Sequence, residues 1–297
     1  MIGCFGKIPA SADFVSLHGA LPEVAEFDLW LQRTLVDLDQ SVQWQSRFDE
    51  LPLCYFSFVS TTGVWLLGGV VSSHDSSGRR YPFFIFQLVR PSDSGLNAHT
   101  LSEVFAAQIK PLLIDASQGL DTASVFQQLK ALRPWDLADV ALYRRVHVKF
   151  LDDFELQDVA NALQPSYVNL DSVSLPARLM GLRESVCKAR PPVMHFPLPA
   201  ARGLMRPVAD FWCEWLNVQS HEQVPAVSVL VDDFMHPGLL CFASRQVATA
   251  YRVLTGGVSC PSLLHVEPGI SLPAMRAEQS LRELVAFCST RQQGTIA

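Results

Sequence analysis

The chain has 297 residues, of which 49% are hydrophobic and 18% charged, a composition that excludes a disordered tail and supports a buried core. Its 23 Lys and Arg stand against 29 Asp and Glu, a net charge of −6, with no basic run longer than Arg79-Arg80 and Arg144-Arg145. Nucleic-acid binding needs clustered cations to neutralise phosphates, so no nucleic-acid partner is expected. Seven cysteines, odd in number and never spaced Cys-x-x-Cys, predict buried thiols in a reducing compartment. Lys7 and Asp13 interrupt the apolar stretch a signal peptide would need, and Val64 to Val71 is far too short to span a bilayer. A soluble, cytoplasmic protein without membrane insertion is expected.

In chain order, Gly3-Cys4-Phe5-Gly6-Lys7 reads as a first strand running into a turn. It is not a phosphate loop, because two residues separate the glycines and Ile8 follows the lysine. From Pro22 to Gln40, Val24, Phe27, Leu31, Leu35 and Leu38 recur at helical spacing, with proline tolerated in the first turn. Leu53 to Val59, Gly63 to Val71 and Tyr81 to Val89 are short runs rich in aromatic and β-branched residues, and read as strands. The connection Ser60-Thr61-Thr62-Gly63 fits an antiparallel hairpin and is too short for a crossover helix. Adjacent strand residues such as Phe83 and Phe84 face opposite sides, so both sheet faces must be covered.

Thr100-Leu101-Ser102-Glu103 has capping-box spacing and predicts a helix to Ser117 that contains Pro111 and ends at Gly119. Asp121 caps the next helix, which carries Val125, Phe126, Leu129 and Leu132 and closes before Pro134. Between Asp139 and Phe154, the alternation of Val146, Val148 and Phe150 with His147 and Lys149 predicts a half-buried strand. The prolines at 165, 176, 191, 192, 197, 199 and 207 predict irregular connections. A helix over Pro207 to Val218 places Phe211, Trp212, Trp215 and Leu216 inward. Strands over Ala226 to Val231 and Gly238 to Ala243 flank the loop Asp232 to Pro237, and helices over Arg245 to Leu254 and Pro273 to Thr290 finish the chain. This order predicts an α/β (α+β) fold with a mixed, largely antiparallel sheet flanked by helices, an α/β/α sandwich. An N-terminal α/β domain over 1–150 is followed by a C-terminal α/β region over 151–297, either a separate domain or packed as part of the same globule.

Common enzyme signatures are absent: no Gly-x-Gly-x-x-Gly, no Gly-x-Ser-x-Gly and no His-Glu-x-x-His. The eight histidines are scattered singly, so neither metal nor cofactor is expected. The polar stretch from Ser72 to Pro82 stands out between two strong strands. Asp75 there can accept backbone N–H groups in an Asx-turn, Gly78 can take positive φ, and Arg79 or Arg80 can fork onto Asp75 or another carboxylate. The result is an ordered, exposed, charged loop suited to recognition.

The segments Gly3-x-Phe5-Gly6-Lys7-Ile8-Pro9-x-x-x-Asp13-Phe14-Val15, Trp30-Leu31-Gln32, and Trp65-x-x-Gly68 ahead of Ser73-x-Asp75-x-x-Gly78-Arg79-x-Tyr81-Pro82 resemble, in matching order, the hallmark motifs of the TagF (ImpM) family. The chain departs from that pattern at Ala12, where the family has glycine, and at Ser72, where it often has proline. The resemblance implies a cytoplasmic, post-translational repressor of a bacterial type VI secretion system. Such proteins act on a forkhead-associated scaffold protein and are linked to a threonine-phosphorylation pathway. It further implies that Gly6, Lys7, Pro9, Asp13, Phe14, Trp30, Trp65, Asp75, Gly78, Arg79, Arg80 and Pro82 contact the partner or hold the loops that do. No enzymatic activity is expected. The alternatives are a hydrolase with a dispersed site around His74 and Asp75, or a structural accessory subunit of the secretion apparatus.

Overall fold

Aromatic and β-branched runs become strands, and apolar residues at helical spacing become helices, across residues 1–40, 42–90, 97–189, 191–220, 225–266 and 278–290, which the computed structural model describes. The first part of the chain forms β1 (Ile2–Gly6), β2 (Val15–Leu17), α1 (Pro22–Asp39), α2 (Trp44–Asp49), β3 (Cys54–Val59), β4 (Trp65–Val71) and β5 (Phe83–Val89). There follow α3 (Ala98–Leu101), α4 (Glu103–Ser117), α5 (Thr122–Ala131), α6 (Leu137–Asp153), α7 (Leu156–Leu163) and α8 (Ser174–Ala189). The remainder forms β6 (Val193–Pro197), α9 (Arg202–Ser220), β7 (Val227–Val231), β8 (Gly238–Phe242), α10 (Ala250–Leu254) and α11 (Leu281–Thr290). The chain divides into two units, residues 1–140 with 245–259, and residues 141–244 with 260–297.

In the first unit the strands run in the order β2-β1-β5-β4-β3, every ladder antiparallel. The β3–β4 hairpin forms as its short loop requires, with Ser60 N–H on the Val64 carbonyl at 2.9 Å and Gly63 N–H on the Ser60 carbonyl at 3.1 Å. On one face α1 lays Phe27 against Phe56 (4.2 Å), Phe84 (5.0 Å) and Phe58 (5.3 Å). On the other, Ile109 and Leu113 of α4 approach so close to Gly69 that a Cβ there would meet Leu113 at 2.7 Å. Both Phe83 and Phe84 are fully buried, as opposite-facing neighbours in a two-sided sheet must be. Helices on both faces of an antiparallel sheet give the α+β class predicted from the order of elements.

Residues 245–259 return to this unit through several polar contacts. Trp30 Nε1 donates to the Val247 carbonyl (2.9 Å), Arg245 Nη1 to the Val59 carbonyl (2.7 Å) and Arg252 Nη1 to Asp37 (3.2 Å). Phe48 of α2 meets Tyr251 of α10 edge-on at 5.9 Å.

The second unit pairs β7-β8-β6, also antiparallel. Against these strands α9 packs Trp212, stacked on Phe196 at 5.5 Å and donating from Nε1 to the Pro197 carbonyl at 3.1 Å. Phe211, Trp212, Trp215 and Leu216 are all fully buried, as their spacing predicts.

Several expectations change. The helix expected over Arg245 to Leu254 covers only Ala250–Leu254. Residues 139–154 form helix α6 and not a strand: His147, Phe150 and Leu151 share a buried helical face, whereas Val146 and Val148 are exposed. Thr100 sits inside α3, and Ser102 precedes α4, so the capping box does not start that helix. Pro165 and Pro176 bracket helices: the first follows α7, and the second lies in the opening turn of α8, where its missing N–H costs nothing. Cys187 is exposed, while Cys4, Cys54 and Cys241 are buried. Residues 273–277 of the last predicted helix lie outside the described residues. Among the described residues no helix is long and apolar enough to cross a membrane.

His195 of β6 gives the second unit a pH dependence. Its Nδ1 lies 2.9 Å from Ser262 Oγ, and a Cβ on Gly238 would meet its Nε2 at 2.5 Å. Burial, reinforced by His265, pushes the imidazole down from 6.5 to about 4. The unfolded chain therefore takes up the proton first as pH falls, and stability present above about pH 6.5 is lost towards pH 4, by roughly 3 kcal/mol. Urea unfolding followed between neutral and mildly acidic pH checks this. His195→Gln should flatten the profile, and an equally steep decline in that variant would assign it elsewhere.

Candidate functional site

Antiparallel pairing brings two chain turns to one end of the first unit's sheet. Gly6 closes β1 opposite both Val15 of β2 and Phe83 of β5, and Val71 ends β4 opposite the same Phe83. Lys7, the Asp13-Phe14 pair and the loop from Ser72 to Pro82 therefore emerge together. Gly6 makes the junction possible: its φ is +134°, and a Cβ would stand 2.1 Å from the Pro82 carbonyl oxygen.

Asp75, fully buried, is the centre. Its Oδ1 accepts from the backbone N–H of Ser77 (3.0 Å), the Ser77 hydroxyl (2.7 Å) and the backbone N–H of Arg79 (3.0 Å). Oδ2 accepts from Lys7 Nζ at 2.9 Å and Arg79 Nε at 2.7 Å. Burial opposes ionisation of this carboxyl. The hydrogen bonds from Ser77, Lys7 and Arg79 outweigh it and hold the group well below the usual carboxylate range. The main chain closes around it, with Asp75 N–H on the Arg79 carbonyl (3.1 Å), Gly78 N–H on the Asp75 carbonyl (2.9 Å) and Gly78 at φ +82°. Two contacts fasten this loop to the first turn: Ser76 N–H donates to the Ser11 carbonyl and Arg79 Nη2 to the Ala12 carbonyl, at 2.8 and 2.7 Å.

What reaches solvent is set by this packing. Arg79 leaves 64% of its side chain exposed although two of its nitrogens are engaged. Phe14, 42% exposed, stacks on Phe5 at 5.2 Å and meets Tyr81 at 5.1 Å, with Lys7 Nζ 5.1 Å from its ring centre. Asp13 is exposed, its Oδ1 accepting from Phe14 N–H at 2.8 Å. Arg80 turns away and grips Asp49 of α2 with both forks, at 2.8 and 2.6 Å. The surface thus offers a guanidinium, an aromatic face and a carboxylate on a rigid base.

The other residues singled out by sequence take separate places. Pro9 is half-buried beside the turn in which Ser11 N–H meets the Ile8 carbonyl, and Pro82 is buried beneath Gly6. Trp30 is buried in α1, stacked near Phe27, and Trp65 opens β4 at the end opposite the loop. His74 is exposed, and its Nδ1 lies 2.9 Å from the backbone carbonyl of Asp75, whose carboxylate is occupied by Ser77, Lys7 and Arg79. The imidazole and carboxylate therefore form no acid–base pair. Among the described residues no three His, Cys, Asp or Glu side chains gather as a metal set. Ser77 and Asp49 were missed by sequence reasoning. Ser77 follows Asp75 at the spacing of an Asx-turn, a usable local signal, whereas Asp49 lies 31 residues from Arg80 and leaves none.

The chain is similar to the crystal structure of PA0076 from Pseudomonas aeruginosa PAO1, at 23% identity and a TM-score of 0.39, over 46% of this chain and 64% of that one. It thus spans just under two thirds of that protein's length. No curated protein matches. The family model of the TagF N-terminal domain, type VI secretion system-associated, matches residues 3–132, a span that contains the whole loop cluster. Residues 3–132 therefore form a TagF N-terminal domain, a type VI secretion system-associated domain.

Proposed function

We propose that this protein is a cytoplasmic, non-enzymatic negative regulator of a type VI secretion system, acting post-translationally by binding a forkhead-associated scaffold protein. The observation that carries the reading is the TagF N-terminal domain match over residues 3–132. The site chemistry supports docking. Asp75 is spent on holding Lys7 and Arg79, while the outward guanidinium, the Phe14 ring and Asp13 stand ready for a macromolecular surface. A guanidinium already fixed in place loses little freedom on binding, so a charge-assisted bond to a partner carboxylate is strengthened.

Titration calorimetry of the full chain with the purified scaffold tests this. Arg79→Ala should weaken binding by at least roughly tenfold. It should also leave the Lys7–Asp75 pair in place. Equal affinity for Arg79→Ala and wild type would remove the loop from the mechanism, and no binding by wild type would remove the regulator reading itself.

A further inference from the structure

The six-residue tip of the β7–β8 hairpin, Asp232 to Pro237, projects Phe234 and Met235 with 90% and 59% of their surface exposed. Single exposed apolar residues are ordinary, but a bare phenyl beside a methionine at a loop tip is a concentrated apolar surface. The tip is also clamped. Asp233 Oδ1 accepts from the N–H groups of Met235 (2.7 Å) and His236 (2.8 Å), the pattern of an Asx-turn. From the neighbouring loop Tyr167 donates its hydroxyl to the Pro237 carbonyl at 2.7 Å and sets its ring edge on His236 at 5.8 Å. Val168, the next residue after Tyr167, is 76% exposed.

We infer that this tip is a docking knob for a protein partner whose surface offers an apolar pocket rimmed by Lys or Arg. Charge selects that occupant. Asp232 and Asp233 immediately precede Phe234 in the loop, and the sequence holds no Lys or Arg between Lys149 and Arg178 or between Arg206 and Arg245. A second copy of this chain, net charge −6, would bring the same acids against them. A partner with cations at its rim gains attraction from them and a seat for an aromatic side chain that is already in place.

The inference rests on the scaffold-binding reading above, naming a contact that the second unit contributes. Calorimetry uses the full chain and the purified scaffold. Phe234→Ser should weaken binding roughly thirtyfold while the melting temperature holds, because the side chain packs on nothing it would leave empty. Phe234→Leu should retain most of the affinity, and wild-type affinity should fall as salt rises. Unchanged binding by Phe234→Ser overturns the knob alone, as does a wild-type dimer in sedimentation that Phe234→Ser dissociates. Failure of wild type to bind overturns the scaffold reading, and the knob with it.

Discussion

Asp75→Ala is expected to lower the melting temperature of the first unit by roughly 10 °C, measured by circular dichroism at neutral pH. Alanine would strand Lys7, a nearly buried ammonium, without its acceptor, and would release three donors from Ser77 and the Arg79 backbone. The pH dependence follows from the lowered carboxyl pKa. The stabilisation is complete above the unfolded value of about 4 and drains away as pH falls further, since the unfolded chain then binds a proton that the folded chain refuses. The gap between wild type and variant should therefore be widest at neutral pH and close in acid. A gap that stays constant down to acid pH would mean that the carboxylate charge is not what the cluster uses.

Gly6→Ala is the second large effect expected, a loss of about 3 kcal/mol in urea unfolding. The new methyl would meet the Pro82 oxygen at 2.1 Å and the Phe83 Cα at 2.7 Å, both backbone atoms that cannot swing aside, at a φ of +134°. Gly78→Ala provides the comparison. There φ is +82° but nothing lies within 4 Å, so only the left-handed conformation is penalised, by about 1–2 kcal/mol. Equal losses for the two would show that the close approach of the Pro82 turn is not a constraint.

The chemistry of the Asp75 loop was legible because its determinants are local. An Asx residue, a glycine with positive φ and an arginine four residues on specify a closed turn whatever surrounds it. The hairpin and the aromatic strands were legible for the same reason, short aromatic and β-branched runs joined by a brief loop. Residues 139–154 were not, because valines at alternate positions satisfy the strand period while His147, Phe150 and Leu151 satisfy the helical one, and tertiary burial decides between them. Proline misled in the second half because it marks a helix's first turn as readily as a loop, as Pro176 does in α8. The grip of Arg80 on Asp49 and the docking of Tyr251 on Phe48 depend on distant pairs, about which local spacing carries no information.

The return of residues 245–259 has a consequence during synthesis. A nascent chain released from the ribosome only as far as residue 140 already holds the sheet, but the Trp30 indole N–H still lacks the Val247 carbonyl and Val59 lacks the Arg245 guanidinium. More than a hundred residues of the second unit must emerge before those vacancies are filled. The N-terminal unit thus reaches its final form late in translation, and a truncated product ending there would expose an unfinished seam to proteases and chaperones.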